Sequence, residues 1–266
     1  MSTDKRLQAF ERLLDIMDEL RAKCPWDREQ TLESIRPLTI EETYELSEAI
    51  LAGDSRNIAK ELGDILLHIV FYAKIGSEEG KFDITDVITM LNDKLVYRHP
   101  HVFSSGSAED SDQVIRNWES LKQTEKGGNK TVLSGVPDSM PSLLKAYRMQ
   151  DKARAVGFDW EERSQVWDKV EEEIGEFCAE LDSMDASDPD SVARAEGELG
   201  DLLFSIVNAA RLYDLNPDTA LEMTCRRFKE RFTYLELKSK ELGRDLKEMT
   251  LEEMDAIWDE AKSKGL

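Results

Sequence analysis

Apolar residues at helical spacing run through almost the whole chain, and this pattern limits the folds open to it. In the first segment they recur three or four residues apart, which places one apolar stripe along a helix; they are Leu7, Phe10, Leu13, Leu14, Met17 and Leu20. The same pattern recurs at 38–51, 58–75, 84–98, 111–122, 141–155, 165–181, 192–213, 218–241 and 250–263. We find no convincing alternation with the period of two that is typical of strands. The sequence therefore predicts an all-α protein.

Four sequence elements occur twice, in the same order. EETYE at 41–45 returns as EEIGE at 172–176, and ELGD at 61–64 returns at 198–201. Two basic pairs and two Trp-x-x-x-Lys segments follow them, namely Lys94/Arg98 with Arg227/Arg231 and Trp118/Lys122 with Trp258/Lys262. The stretch 123–141 contains paired glycines and two prolines, which are typical of a linker. The sequence predicts a duplicated helical domain, with copies at 1–122 and 142–266 and a linker at 123–141.

The acidic residues of the first copy are spaced to meet on one pair of helices. Residues three apart share a helix face, as Glu42 and Glu45 do, and as Glu61 and Asp64 do. The midpoint between Glu45 and Glu61 is Gly53, a turn residue. Folding the chain at that glycine would set all four carboxylates at one level of an antiparallel helix pair.

The second copy repeats this arrangement around Ser187, within the polar loop 182–191, and its acids are Glu173, Glu176, Glu198 and Asp201. Four converging carboxylates repel one another unless a positive charge lies between them. Hard oxygen ligands of this kind suit Mg²⁺ or Mn²⁺, and Ca²⁺ less specifically. The repetition predicts a metal site in each copy, although a single acidic helix is more often a solvated surface. Gly63 and Gly200, inside the predicted helices, suggest close approach of another helix or a ligand.

Basic and aromatic residues follow the acids and suit contacts to a nucleotide. Arg227 and Arg231 share a helix face, and the guanidinium group pairs bidentately with phosphate. Trp258 offers a ring for stacking on a base, and Lys262 lies about one helical turn further on. A structural interpretation stays open for each feature, because basic pairs also bind surface acids and helical tryptophans also pack in cores.

Charge and cysteine content narrow the partners and the compartment. The chain has 35 Lys plus Arg against 56 Asp plus Glu, a net charge of −21, which disfavours nucleic acid and anionic membranes as partners. Its three cysteines are far apart and its N-terminus has no apolar signal segment, so we expect a cytoplasmic protein without disulfides. The apolar runs 65–73 and 202–210 are too short to span a bilayer as helices, and we expect a homodimer to bury them.

These motifs together resemble the MazG family of nucleoside triphosphate pyrophosphohydrolases. The resemblance rests on EETYE and EEIGE, each paired with ELGD, and on CPWDREQT, KLVYRHPHVF and VGFDW, and it covers nearly the whole chain. It implies an all-α fold with a four-helix site, usually completed by homodimerisation. It also implies Mg²⁺-dependent conversion of a nucleoside triphosphate to the monophosphate and pyrophosphate.

The resemblance further implies roles for individual residues. The two acidic quartets named above correspond to the metal ligands of the family, and Glu172, Glu173 and Glu176 would take part in catalysis. Nucleotide contacts correspond here to Glu172, Arg227, Arg231, Trp258, Lys262 and Lys122. In tandem members, hydrolysis is usually credited to the second copy. A non-catalytic module that senses nucleotides or metal, and an acidic helical scaffold without a site, remain open as alternatives.

Overall fold

The computed structural model describes residues 4–104, 114, 118, 121 and 131–266. Within these ranges every regular element is helical, which confirms the predicted all-α class. The α-helices with resolved bounds are α1 Lys5–Lys23, α2 Pro25–Glu29, α3 Leu32–Ala52, α4 Ser55–Glu78, α5 Ile84–Arg98, α6 Pro100–Phe103, α7 Ser142–Ala155, α8 Val166–Ser183, α9 Pro189–Leu212, α10 Pro217–Glu241 and α11 Leu251–Ser263. Short 3-10 helices lie at Arg163–Gln165 and Leu246–Glu248.

The chain divides into two compact units, Met1–Ser107 and Ala108–Leu266, called the first unit and the second unit below. The first part of the predicted linker, residues 123–130, and most of the predicted helix at 111–122 lie outside the described residues, so the proposed domain limits stay a prediction. None of the described helices has a stretch long and apolar enough to cross a membrane.

The first unit is built around the antiparallel pair α3 and α4. Thr31 caps the start of α3 through a reciprocal capping box with Ser34, which satisfies two backbone N–H groups at the helix end. Gly53 ends α3 at φ 66°, a left-handed conformation that glycine adopts without steric cost. The Asp54 side chain then accepts from two backbone N–H groups at the start of α4. The predicted turn at Gly53 is therefore confirmed.

Helix α3 begins earlier than the sequence pattern indicated. Apolar spacing predicted a helix over 38–51, which starts directly after Pro37, a residue that lacks an N–H and normally interrupts a helix. The capping box at Thr31 instead starts the helix at Leu32, with Pro37 inside it. The extra turn places Ile35, which is 1% exposed, in the core of the first unit.

The core of the first unit is continuous across α1, α3 and α4. Its buried members are Met17, Ile35, Val70, Phe71 and Ile75, and Phe10, Leu13, Leu14, Leu32, Leu67 and Tyr72 pack against them. Burying aliphatic and aromatic side chains of this size stabilises each by about 1.5–3 kcal/mol relative to leaving it exposed. Phe71 follows Asp64 by seven residues, so this core continues along the same face of α4, further from the turn at Gly53.

The second unit uses the same antiparallel arrangement for α8 and α9. Helix α8 ends at Ser183 and α9 begins at Pro189, so the predicted turn around Ser187 is also confirmed. The core cluster of this pair is smaller, with Val166, Val170 and Ala209 buried. A side chain added at Gly63 or Gly200 would meet nothing within 4 Å, so no described part of the chain makes the close approach suggested by these glycines.

Candidate active site

In the first unit, two adjacent helices bring three glutamates together. Glu42 and Glu45 project from one face of α3, and Glu61 projects from α4 on the other side of the turn at Gly53. Carboxylate oxygens from these three residues lie within 4.8 Å of one another. Glu61 is buried, Glu42 half-buried and Glu45 exposed, so the group opens to solvent on one side.

In the second unit, α8 and α9 repeat this geometry. Oxygens of Glu173, Glu176 and Glu198 again lie within 4.8 Å of one another. Glu173 is the buried member, Glu198 is half-buried and Glu176 is exposed. The spacing argument therefore placed three of the four predicted acids of each copy in one group.

Asp64 and Asp201, the remaining acid of each quartet, are not members of these groups of three in the described residues. Asp64 lies 3.4 Å from the ammonium group of Lys60. Asp201 is exposed, and its charge is one of those that act on Glu198. Both aspartates follow the glutamate of ELGD by one helical turn, so each lies at the edge of its group rather than at the centre.

The carboxylates within each group of three glutamates repel one another. In the first unit, burial and the charges of Asp64, Glu45 and Glu61 raise the pKa of Glu42 above its ordinary value. In the second unit, burial and the neighbouring acids, Glu176 first among them, raise the pKa of Glu198. Glu173 Oε2 is buried and has no hydrogen-bond partner. A divalent cation bound by oxygen ligands would relieve this repulsion and satisfy that oxygen, so both groups fit such an ion.

Two lysines that the motifs did not single out lie against the acids. Lys60 on α4 donates to both carboxylate oxygens of Glu61 at 3.0 Å. Lys169 on α8 lies 2.7 Å from Glu173 and donates to Glu172 at 3.0 Å. The signal was present in the sequence, since Lys169 precedes Glu173 by four residues and Lys60 precedes Asp64 by four, a favourable helical spacing. Lys60 lies on the second helix of its pair, whereas Lys169 lies on the first helix of its pair.

Glu172, predicted to act in catalysis and nucleotide contact, is an exposed residue of α8. Its carboxylate is held by Lys169 and is not a member of the group of three. Glu172 is therefore placed beside the acidic group without belonging to it, as a proton acceptor that is not a metal ligand would be.

The predicted phosphate and base contacts form a separate surface on α10 and α11. The Arg231 guanidinium carbon lies 5.8 Å from the centre of the Trp258 ring, and Trp258 packs against Phe228 at 5.2 Å. Arg231 also donates to the carbonyl of Leu266. The other two members bind nearby side chains, Arg227 with Thr224 and Lys262 with Asp259.

Within the described part of the chain, no hydrogen bond or ion pair joins this surface to Glu173, Glu176 or Glu198. Lys122, the remaining predicted contact, lies outside the described residues. The structure thus brings the acids together and brings the basic and aromatic residues together, but it does not link the two sets in one chain.

A cavity of about 710 Å³ lies against the acidic group of the second unit. Lys169, Glu173 and Asp201 line one part of it, and Phe158 and Trp160 line another. The sequence pattern had shown VGFDW only as a distant echo of CPWD, with no indication of a cavity. This arrangement can hold a phosphorylated molecule whose charged end meets the acids through a cation.

Comparison with known proteins gives the family of this chain. A sequence model described as the MazG nucleotide pyrophosphohydrolase domain matches residues 30–103. Over 256 residues the chain is 43% identical to the nucleoside triphosphate pyrophosphohydrolase/pyrophosphatase MazG of Thermotoga maritima, covering 95% of both chains. This chain belongs to the MazG family. It is also 40% identical over 261 residues to the nucleoside triphosphate pyrophosphohydrolase of Escherichia coli K12, covering 96% of this chain and 98% of that one.

Membership of the MazG family confirms the resemblance on which the sequence interpretation relied. The matched segment 30–103 lies in the first unit and contains Glu42, Glu45 and Glu61. The two full-length relatives extend the similarity over the second unit as well.

Proposed function

We propose that this MazG protein hydrolyses nucleoside triphosphates to the monophosphate and pyrophosphate, using Mg²⁺ held by carboxylates of the second unit. The observation that supports this most is the group of Glu173, Glu176 and Glu198 beside a cavity, with an unpaired buried oxygen on Glu173. The two full-length relatives are both named as nucleoside triphosphate pyrophosphohydrolases. Asp201, at the edge of the group, is the proposed fourth ligand.

Mg²⁺, or Mn²⁺ in its place, would neutralise the triphosphate and lower the pKa of a bound water. Glu172 accepts the proton of the water whose oxygen attacks phosphorus, since it lies next to the group without being part of it. The bond that breaks joins that phosphorus to the oxygen bridging the α and β phosphorus atoms, and this oxygen leaves with the electron pair, so the products are the monophosphate and pyrophosphate. Lys169 offers an ammonium group to a phosphate oxygen at the same place.

Contacts to the rest of the nucleotide are proposed for Arg227, Arg231, Trp258 and Lys262, together with Lys122. Arginine and lysine there would stabilise the charge that develops on the leaving pyrophosphate. We further propose a homodimer, because apolar side chains of α9 remain exposed along one face, among them Leu199, Leu203 and Ile206. Obligate interfaces bury about 2,000 Å² or more of such surface in total.

The cytoplasm is the proposed location, since nucleotide pools are held there and the three cysteines are free thiols.

A second function, binding without turnover, is favoured for the first unit by one observation. A lysine contacts the buried glutamate in both units, but Lys60 also lies 3.4 Å from Asp64, so the aspartate of the first group is already partly neutralised. The first unit then acts as a sensing or supporting module within a catalytic protein.

Product analysis tests the proposed function directly. Several nucleoside triphosphates are incubated with the full chain and Mg²⁺, and pyrophosphate and orthophosphate are measured separately. We expect one pyrophosphate per monophosphate, loss of turnover on chelation with EDTA, and its return when Mg²⁺ or Mn²⁺ is restored. Release of orthophosphate as the first product, or turnover that survives EDTA, would contradict the proposal. Sedimentation of an active monomer at micromolar concentration would contradict the dimer.

A further inference from the structure

Arg231 is held differently from the other basic residues that are proposed to contact phosphate on α10 and α11. Arg227 and Lys262 each bind a side chain three residues away on the same helix. Arg231 instead donates from Nε to the backbone carbonyl of Leu266 at 2.7 Å, across 35 residues of the chain. A contact to the backbone of a separate element restrains a long side chain more than a contact within one helical turn. Arg231 is therefore the most restrained of these three described residues.

The contact also decides which edge of the Arg231 guanidinium group is available. An arginine can contact a phosphate bidentately through Nε and one Nη, or through its two Nη atoms. The Leu266 carbonyl accepts from Nε and so closes the first of these edges. Among the described residues, no hydrogen bond or ion pair involves either Nη atom of Arg231. Both Nη atoms thus remain available to an anion, and the guanidinium carbon lies 5.8 Å from the centre of the Trp258 ring.

The turn that ends α11 presents the carbonyl of Leu266. Gly265 has φ 83°, in the left-handed region that glycine adopts without steric cost. Its N–H donates to the carbonyl of Lys262 at 3.0 Å, and the N–H of Leu266 donates to the carbonyl of Ala261 at 3.2 Å. This pair of backbone hydrogen bonds is the Schellman motif that ends many helices. Since Ala261 is 0% exposed, the turn extends from a buried part of the helix.

Three side chains hold the same turn against α10. Lys264 donates to Glu260 at 2.7 Å and also donates to the hydroxyl of Tyr234. The Tyr234 hydroxyl donates in turn to Glu260 at 2.6 Å, and the Lys264 ammonium group lies 4.6 Å from the centre of the Tyr234 ring. None of these contacts involves Arg231. The position of the Leu266 carbonyl is therefore set by interactions that do not depend on the arginine it contacts.

We propose that Leu266 is a positioning residue, whose carbonyl orients Arg231 so that its two Nη atoms meet the oxygens of the leaving pyrophosphate. The inference rests on the proposed function, in which Arg231 contacts the phosphates. Fixing the side chain before the substrate arrives reduces the conformational entropy that is lost on binding. Leu266 acts through Arg231 and does not itself contact the substrate.

An opposite role for Leu266 gives an opposite result, which makes the inference testable. A carbonyl oxygen and a phosphate oxygen both accept from a guanidinium group, so Leu266 could compete with the phosphates for Arg231. Loss of the carbonyl then strengthens the binding of phosphates, because it releases the arginine. If Leu266 positions Arg231, the same loss weakens that binding.

Two variants remove or displace the carbonyl, and a third is a matched control. Deletion of Gly265 and Leu266 removes it. Gly265→Pro displaces it, because proline cannot adopt φ near 83° and lacks the N–H that donates to Lys262. Gly243→Pro makes the same change in the turn after α10, where Gly243 has φ 68°. That turn lies about 18 Å along α10 from Arg231, at 1.5 Å per residue.

Binding of inorganic pyrophosphate with Mg²⁺ is measured by calorimetry, and kcat and KM for ATP are measured by pyrophosphate release. Circular dichroism checks that each variant of the full chain is folded. We expect the deletion and Gly265→Pro to weaken pyrophosphate by about fivefold and to raise KM by a similar factor, with kcat within about twofold. Gly243→Pro should change none of these by more than about twofold. Partial unfolding lowers kcat and leaves KM unchanged, so KM separates positioning from a purely structural role.

A double-mutant cycle tests whether Leu266 acts through Arg231. Arg231→Met removes the guanidinium group and keeps an unbranched side chain, and it is combined with the deletion of Gly265 and Leu266. In the Arg231→Met background, we expect the deletion to change pyrophosphate binding by less than about 1.5-fold. The deletion has nothing left to misplace in that background.

Three results would overturn the inference and leave the proposed function intact. Pyrophosphate that binds the deletion variant more tightly would show that Leu266 competes with phosphate. Binding that is unchanged in both the deletion and Gly265→Pro would show that the carbonyl has no role. A fivefold loss that persists in the Arg231→Met background would show that Leu266 does not act through Arg231. If the wild-type protein releases no pyrophosphate from ATP, the proposed function fails together with this inference.

Discussion

The two units use the same pair of antiparallel helices to bring three glutamates together, but they differ in what lies next to those glutamates along the helices. Further along α4, the first unit packs Met17, Val70 and Phe71 into a continuous apolar core. Further along α9, the second unit has a cluster of three buried residues and a cavity of about 710 Å³. The difference indicates that one copy is packed for stability and the other retains space for a ligand.

The charges around the two acidic groups differ in the same sense. Lys60 contacts Glu61, the residue that follows it in α4, and also approaches Asp64. Lys169 instead contacts Glu172 and Glu173 from α8, and Asp201 is left to line the cavity. Asp64 is therefore partly neutralised within the chain, whereas Asp201 remains available to a cation and its ligand.

The largest expected effect separates these two aspartates. We expect Asp201→Asn to lower pyrophosphate release by about a hundredfold or more, because it removes a proposed metal ligand at the cavity. Asp64→Asn, the matched change in the first unit, is expected to alter turnover by less than about threefold. Steady-state assays with Mg²⁺ measure both. Equal losses in the two variants would remove the distinction between the units.

The next effect concerns packing. Phe71→Ala should destabilise the first unit by about 3–5 kcal/mol, because it leaves a void in a closed core. Ser205→Ala in the second unit should cost only about 1 kcal/mol, since it removes one hydrogen bond to the carbonyl of Leu202. Hydrogen–deuterium exchange of α4 and α9 peptides reports the two units separately. A large loss of protection of α9 in Ser205→Ala, together with a small loss of protection of α4 in Phe71→Ala, would show that we have assigned the rigid core to the wrong unit.

A smaller, pH-dependent effect compares the ion pairs at one shared position. Ten residues after the ELGD aspartate, Arg211 pairs with Asp159 and Lys74 pairs with Asp18. Burial by itself raises the pKa of Asp159, but hydrogen bonds from Arg211 and the Trp160 N–H outweigh it and leave the pKa below its ordinary value. The charged form therefore stabilises the fold above the unfolded pKa of about 3.9, and this contribution is lost as pH falls through the lower folded pKa.

Asp159→Asn should accordingly cost about 2 kcal/mol at pH 7, less than the roughly 3–5 kcal/mol of a fully buried pair. The cost should shrink below about pH 4, where the wild-type carboxyl is also becoming protonated. Asp18→Asn, at a mostly exposed pair, should cost under about 1 kcal/mol. Urea denaturation at pH 7 and pH 3 measures both. A cost for Asp159→Asn that stays the same at both pH values would contradict this account of the ion pair.

The sequence was sufficient for the features that follow from spacing along a helix. Glu42, Glu45 and Glu61 meet because residues three apart share a face and because Gly53 allows the turn between α3 and α4. The MazG family was predicted in a different way, from the resemblance of the repeated motifs to those of the family. The all-α class could be predicted from the spacing of the apolar residues alone, because the packing of the helices against one another does not change that spacing.

The cavity could not be predicted, because it depends on contacts between distant parts of the chain. Gln150 meets the carbonyl of Phe204 across 54 residues, and Arg211 meets Asp159 across 52 residues. No local pattern reveals that Oε1 of Gln150 lacks a partner, or that Ser205 and Asn208 face open space and not a core. Lys60 and Lys169 were missed for a different reason, since lysines near acidic runs are common and do not indicate a site by themselves.

The central claim is that hydrolysis takes place at the acidic group of the second unit. The most direct test compares two double variants of the full-length protein, Glu176→Gln with Glu198→Gln and Glu45→Gln with Glu61→Gln, by pyrophosphate release with Mg²⁺. We predict that the second-unit pair reduces turnover by at least about a hundredfold and that the first-unit pair leaves most of it. Abolition of turnover by the first-unit pair alone would reverse the assignment, and a loss of about half from each pair would make both units catalytic.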